Sequence, residues 1–536
     1  MKALYVSFLL LASCSFLISS LEDDYSVVGL QSEKIALLFS HNISGETHPC
    51  GCRTFPLGGL PQIAGQMSEL TKAGSEIFYV DTGDTFFPTN RLTIGMEKSQ
   101  KFAAKNLAKG LSQLGLKYHV PGDQDFSAGV DFYGEILKEA NLTLLAANLS
   151  PNSPIQGQKY IVLERGPHKV FLVGLSDPKL LQPESAKLFT EPFTALENVM
   201  SEIKSNGYTK DNPFHRLILL SHSSYEQDEI WAKSFPDFDW IIGSHSQKFT
   251  RKPLLEGQTK IVQVLSQNHY LGEVKLNLTA SKDKDSFEIH EIHESLGQKL
   301  SPNPYDDFIA NHKDQMAKLQ EQEQQNLGLV HTAKEMAPFN DAKTCIECHQ
   351  PQSDKWHKTA HSVAYATLLN ANEGKNLSCV GCHSLGLSDP RGFNNSLDMT
   401  KFEKDDKREA YWQDVQKAFG NVKSIRELPE ARVEKLSKQW LSLDQKHGVT
   451  RQMANVQCLN CHDKHVDHPF HIDENRPTAK EKSSAMKGKC IACHNADQSP
   501  EWYMKKDNGL AGNIDEKILD AKIKAVACPK LEQTGY

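Results

Sequence analysis

Beyond its first twenty residues this chain has no long apolar run, so nothing in that stretch reads as a helix crossing a bilayer. It has no basic excess either. The 60 Lys and Arg residues face 67 Asp and Glu, and a formal charge of −7 gives no reason to expect a nucleic-acid partner. Cysteine is sparse along most of the length, with only Cys14, Cys50 and Cys52 before position 345, which excludes a scaffold stapled by disulfides. The 39% hydrophobic and 24% charged residues over 536 positions are ordinary globular composition, with length for two to four domains.

What the last third does have is Cys-x-x-Cys-His, four times: Cys345, Cys348 and His349; Cys379, Cys382 and His383; Cys458, Cys461 and His462; Cys490, Cys493 and His494. Two thiols three residues apart can add across the two vinyl groups of a haem, and the adjoining histidine is placed to ligate the iron. A shuffled chain of this composition would contain roughly 0.01 such motifs. One copy alone would also read as a zinc knuckle or a redox dithiol; four copies with the trailing histidine read as four covalently bound c-type haems.

Covalent haem attachment takes place on the far side of an energy-transducing membrane, so the chain is expected to be exported. Met1-Lys2 and the short apolar stretch after it have the form of a signal peptide. Leu11-Ala12-Ser13-Cys14 resembles the lipobox of bacterial lipoproteins, which makes residues 1–14 the leader, Cys14 the lipidated residue and 15–33 a tether. Cleavage near Ser19-Ser20 is the competing reading. The expected location is periplasmic or outer-membrane associated, held to the membrane by the lipid anchor.

Between residues 34 and 280 short apolar runs alternate with helical stretches, the pattern of a layered α/β domain. The runs are 35–39, 77–80, 118–120, 142–146, 170–175, 217–220, 240–242 and 261–265. Several are followed by carboxylates or imidazoles: Asp84, Asp123, His222 and His245. Ligands gather outside the carboxyl ends of strands in such sheets, so these loops are expected to converge on one metal site.

In that order the region resembles the calcineurin-like metallophosphatases, in the branch of 5′-nucleotidases and the thiosulfate-ester hydrolase of sulfur oxidation; Asp131 to Asn148 adds to the likeness. The resemblance implies an αββα sandwich and two divalent metals. It carries over onto Asp84 as the bridging aspartate, His222 as the lone histidine and His245 as the first histidine of Gly-His-x-His. Elsewhere the pattern departs. The family's Asp-x-His reads Asn42-Ile43-Ser44, its Gly-Asn-His-Glu reads Gly122-Asp123-Gln124-Asp125, and the second histidine of Gly-His-x-His is Gln247. Asp84, Asp123, His222 and His245 suffice for one metal, so the expectation is a depleted centre, either retained as scaffold or adapted to altered chemistry. Cys50-Gly51-Cys52 then resembles a Cys-Gly-Cys subgroup of nucleotidase-like proteins. Three readings stay open for Cys50 and Cys52: soft metal ligands, a redox pair, or structural cysteines.

Residues 281–340 read as a polar helical linker, with His312 on its buried or docking face. From 341 to 536 the chain resembles the tetrahaem cytochrome c-554 type. The run Trp356 to His361 matches a segment whose histidine commonly supplies a sixth iron ligand, which makes His361 the first distal candidate; His468 follows the third motif. A charged helical insertion over 401–444 and a C-terminal Cys528 where the family often has histidine are departures. The first functional reading is electron transfer with redox proteins or a small electron donor or acceptor. The alternatives are a metal-dependent hydrolase of phosphate or sulfur esters, or an oxidoreductase acting at an open haem.

Overall fold

All eight apolar runs are strands. The computed structural model describes residues 24–49, 56–326, 340–389, 391–462, 479–496, 498–505 and 511–529. In the first part the strands are β1 Tyr25–Gly29, β2 Lys34–Ser40, β3 Glu76–Asp81, β4 Tyr118–His119, β5 Thr143–Leu145, β6 Gly157–Gln158, β7 Tyr160–Arg165, β8 His168–Ser176, β9 His215–His222, β10 Trp240–Ile242, β11 Leu254–Glu256, β12 Thr259–Val262, β13 Tyr270–Asn277 and β14 Ser286–Glu291. They form two mixed seven-stranded sheets, ordered β1-β7-β8-β9-β10-β12-β11 and β14-β13-β2-β3-β4-β5-β6.

The alternation of side chains along a strand separates two cores. In β8, Val170 and Leu172 join Phe39, Val80 and Val274 of the other sheet in the core between the sheets. Phe171, Val173 and Leu175 point the other way. There they meet helices α4 (Pro192–Ser205) and α5 (Tyr225–Ser234) through Leu196, Val199 and Trp231. Helices α1 (Leu60–Lys72), α2 (Glu97–Gln113) and α3 (Val130–Glu139) link strands of the second sheet. This is the layered architecture expected from the sequence.

Two boundaries differ from expectation. Residues 25–29, read as tether, form β1 and pair in parallel with β7, because Val28 finds a place against the inter-sheet core. Residues 286–291, read as linker, form β14 on the edge of the second sheet, with Phe287 and Ile289 against the same core. The linker helix α6 spans Pro304–Asn326 among the described residues.

Contacts divide the chain into two units: one contains residues up to 47, 58–92 and 104–303; the other contains 48–57, 93–103 and the chain from 304 onward. The second unit is mostly helical: α7 Ala342–Ile346, α8 Gln350–His357, α9 Tyr365–Asn370, α10 Leu377–Val380, α11 Arg408–Phe419, α12 Glu430–Lys446, α13 Cys458–Cys461, α14 Ala479–Cys493 and α15 Glu516–Val526. Within it, α6 places His312 in a buried position against Phe102, as expected, and burial pushes that imidazole down to about 4. The insertion over 401–444 is more than a charged excursion. Tyr411, Val415 and Phe419 of α11 and Val433, Leu436 and Trp440 of α12 supply much of the unit's apolar core, packed with Val363, Tyr365 and Leu368.

Candidate metal centre and haem-attachment motifs

Asp84, Asp123, His222 and His245 lie at the carboxyl ends of β3, β4, β9 and β10, and one ligand atom from each falls within 4.8 Å of the others. His222 Nε2 is 3.6 Å from Asp84 Oδ1 and 3.5 Å from Asp123 Oδ1. His245 Nδ1 is 3.7 Å from Asp84 Oδ2 and 3.3 Å from Asp123 Oδ1. Ligand atoms about 2.1 Å from a tetrahedral ion lie roughly 3.4 Å apart, so these separations suit one bound cation. His222 Nδ1 is bonded to the Thr82 carbonyl at 2.7 Å with Ser244 Oγ at 3.0 Å, which commits the proton to Nδ1 and turns the Nε2 lone pair toward the carboxylates. Asp123 Oδ1, His222 Nε2 and His245 Nδ1 are buried without hydrogen-bond partners, as atoms awaiting a metal would be.

The charges agree. The carboxylates of Asp123 and Asp84 push His245 up to about 10. Burial alone would raise the Asp123 carboxyl, but His222 and His245 outweigh it and hold the group low. For His222, burial acts downward and is overcome by Asp84 and Asp123, leaving the imidazole raised.

Local structure fixes these loops. The Asp125 carboxylate accepts four main-chain N–H groups, from Asp84 at 2.9 Å, Thr85 at 2.8 Å, Phe86 at 3.0 Å and Gly122 at 2.8 Å. Burial, then the Asp84 charge, pushes Asp125 up to about 7. Asp84 and His245 sit in left-handed backbone at φ 58° and 53°, strain typical of functional loops. Gly122 is required by crowding, because a Cβ there would stand 2.3 Å from Asp84 Oδ1 and 2.5 Å from His222 Cε1. Asn42, in place of an aspartate, donates from Nδ2 to Asp84 Oδ2 at 3.0 Å. Behind it, His41 Nε2 accepts the Val264 N–H at 3.0 Å and Nδ1 meets Asn42 Oδ1 at 2.8 Å; burial holds His41 neutral, down at about 4. Sequence reading missed the Asp125 clamp and the parts played by Thr82 and Ser244. The Thr82 contact runs through a main-chain carbonyl and leaves no residue-type signal.

Zinc added to about a hundredfold above its dissociation constant is expected to stabilise the first unit by about 2.7 kcal/mol. Loss of that gain in His222→Ala, read by thermal melting, is the check; an undiminished gain would place the zinc elsewhere.

Three Cys-x-x-Cys-His motifs close one helical turn, the histidine N–H bonding to the first cysteine carbonyl at 3.0 Å in His349, 2.9 Å in His462 and 2.8 Å in His494. His383 Nδ1 donates to the Ala364 carbonyl at 2.7 Å, and His494 Nδ1 bonds Ser499 Oγ at 2.9 Å, so both keep Nε2 for iron. The ring centre of His361 is 6.2 Å from that of His494. Segments of different motifs also adjoin: the Cys458 thiol bonds that of Cys345 and the Cys493 thiol that of Cys382, while Lys489 Nζ, next to the start of the fourth motif, donates to the Cys461 carbonyl at 3.1 Å. The motifs therefore follow one another in space in the order first, third, fourth, second. Cys14, Cys50, Cys52 and His468 lie outside the described residues.

The family model described as "Cytochrome c554 and c-prime" matches residues 344–406. The 5′-nucleotidase of Bos taurus is 25% identical over 203 residues, covering 36% of this chain and 33% of the relative. That of Homo sapiens is 26% identical over 203 residues with the same coverage. The chain thus spans about a third of the length of these relatives. Among solved structures, the sulfate thiohydrolase SoxB of Thermus thermophilus gives a TM-score of 0.43 at 17% identity, covering 57% of this chain and 62% of the other. A 5′-nucleotidase precursor from Thermus thermophilus gives 0.42 at 15%, covering 63% and 67%. The N-terminal part of this chain is similar in sequence to the 5′-nucleotidases, and residues 344–406 in its C-terminal region match the cytochrome c554 model, which implies c-type haem.

Proposed function

We propose that this protein is an exported, lipid-anchored tetrahaem cytochrome that relays electrons, fused to a metallophosphatase-like unit whose centre holds a single divalent ion. The observation that carries the relay is the adjacency of the four Cys-x-x-Cys-His motifs, first to third, third to fourth and fourth to second. Haem bound at these motifs would supply one-electron redox chemistry. His349, His383, His462 and His494 would hold the haem irons, with His361 the first candidate for a further iron ligand.

Asn42 supports the single-ion reading. Its amide donates to Asp84 Oδ2 and so takes up acceptor capacity that a second cation would need. An ion held by Asp84, Asp123, His222 and His245 would supply Lewis acidity to a bound oxyanion. His245, a third exposed, and Asp123 form the accessible side of the centre. A second reading, hydrolysis of phosphate or sulfur esters, draws on the complete one-metal ligand set and on the 5′-nucleotidase relatives.

Elemental analysis of the haem-loaded protein, paired with EPR of its oxidised form, tests the proposal. The expected result is four low-spin irons and about one non-haem metal per chain. A high-spin iron would move the chemistry to an open haem, and two non-haem metals with esterase turnover would establish the hydrolase. Partners would be redox proteins or small electron carriers on the exported side of the membrane. A redox titration of Cys50→Ser/Cys52→Ser identical to that of the parent would remove these thiols from the electron path.

A further inference from the structure

A cavity of about 180 Å³ lies within the second unit, between the segments that lead into the first and third haem motifs. Helix α12 closes one side, so the insertion that sets this chain apart from its family helps to build it. None of the Cys and His residues of the four haem-attachment motifs lines it. Helix α7 turns Ala342, Lys343 and Ile346 to the cavity, whereas Cys345, Cys348 and His349 do not line it.

Two tryptophans, Trp356 and Trp440, and two carboxylates, Asp341 and Asp444, are among its walls. The indole N–H groups are already committed, Trp356 to the Val456 carbonyl at 2.8 Å and Trp440 to Tyr411 Oη at 3.1 Å, so the tryptophans offer a ligand only ring surface. The Gln457 amide donates to the carbonyls of Gln452 at 2.7 Å and Ala454 at 2.8 Å. Asp341 accepts the Gln452 N–H at 2.8 Å and the Thr344 N–H at 3.4 Å. Asp444 accepts from Tyr411 Oη at 2.6 Å and Gln452 Nε2 at 3.1 Å. A carboxylate has about four acceptor sites, so each retains capacity. Neither forms an ion pair among the described residues; Lys343, the cation on the rim, is exposed. Burial pushes Asp444 up to about 6, with the Asp341 charge acting in the same direction and Lys343 against it.

We propose that this cavity binds a small organic cation of the alkylammonium class, with the indoles of Trp356 and Trp440 around its apolar part and the carboxylates of Asp341 and Asp444 as counter-ions. Aromatic rings attract such ions through their quadrupoles, and a desolvated contact of this kind is worth about 2 kcal/mol. The remaining hydrogen-bonding capacity of these carboxylates is acceptor-only, which fits the N–H groups of a protonated amine and disfavours anions. This site is independent of the electron-relay reading.

The test is calorimetric titration of the full-length, haem-loaded protein with methylammonium chloride, with potassium chloride and methanol as controls for charge and for size. Saturable binding of methylammonium alone is expected, weakened about tenfold or more in Asp341→Asn/Asp444→Asn. Asparagine keeps the acceptor that caps α7, and an unchanged haem spectrum would verify that the variant is folded. No saturable methylammonium binding, equal binding of potassium, or undiminished affinity in the double variant would overturn the proposal.

Discussion

Asp125→Ala is expected to destabilise the first unit by about 4 kcal/mol or more, because it strands four main-chain N–H groups whose lost bonds cost about 1–3 kcal/mol each. All four donors lie on the loops that carry Asp84 and Asp123, so stability and metal binding fall together. A loss of this size is a large part of the 5–15 kcal/mol typical of a domain. Thermal melting with and without zinc reads both effects. Asp125→Asn, which retains one acceptor oxygen, is expected to fall between the parent and the alanine variant. An alanine variant within about 1 kcal/mol of the parent that still binds zinc would show that Asp125 is no clamp.

The second large effect is in the other unit. Trp440→Ala removes a side chain that is 2% exposed, packed 4.6 Å from the ring of Phe419, and bonded through its indole N–H to Tyr411. Truncating a buried tryptophan costs about 3–5 kcal/mol, and the orphaned contact to Tyr411 places this case near the upper end. On the same helix the solvent-screened pair Lys438–Glu434 supplies the contrast: Lys438→Ala is expected to leave stability essentially unchanged. Denaturant unfolding of the haem-loaded protein distinguishes the two. Equal, small costs would mean that the insertion packs loosely, as its charged composition suggested.

That composition explains what the sequence hid. Helices α11 and α12 carry many charges, but Tyr411, Val415 and Phe419 recur at helix spacing and so do Val433, Leu436 and Trp440; the narrow apolar stripe was outweighed by the polar residues around it. The strands of the first unit were legible because full burial on both faces writes continuous apolar runs. Strands β1 and β14 were not, since an edge strand is only half covered and reads as polar chain. The four metal-site residues were visible as acids and histidines placed after strands. The groups that hold them in place were harder to see, because Asp125 acts on N–H groups and Thr82 acts through its carbonyl, and main-chain chemistry leaves no mark on residue type.

The assignment of residues 48–57 and 93–103 to the second unit bears on how the chain folds. His48 Nε2 bonds Glu373 Oε1 at 2.8 Å across 325 positions of sequence. Glu323 likewise accepts the Lys98 and Ser99 N–H groups at 2.6 and 2.9 Å, more than two hundred residues from its own place in the chain. Closing loops of that length costs entropy that grows as the logarithm of their span, and contacts so remote slow folding more than they weaken the product. The second unit therefore cannot be completed from its own end of the chain alone. A fragment starting at residue 304 would lack His48, Phe102 and the helix start that Glu323 caps, so early and late segments must be present together before the haem-bearing part reaches its final form.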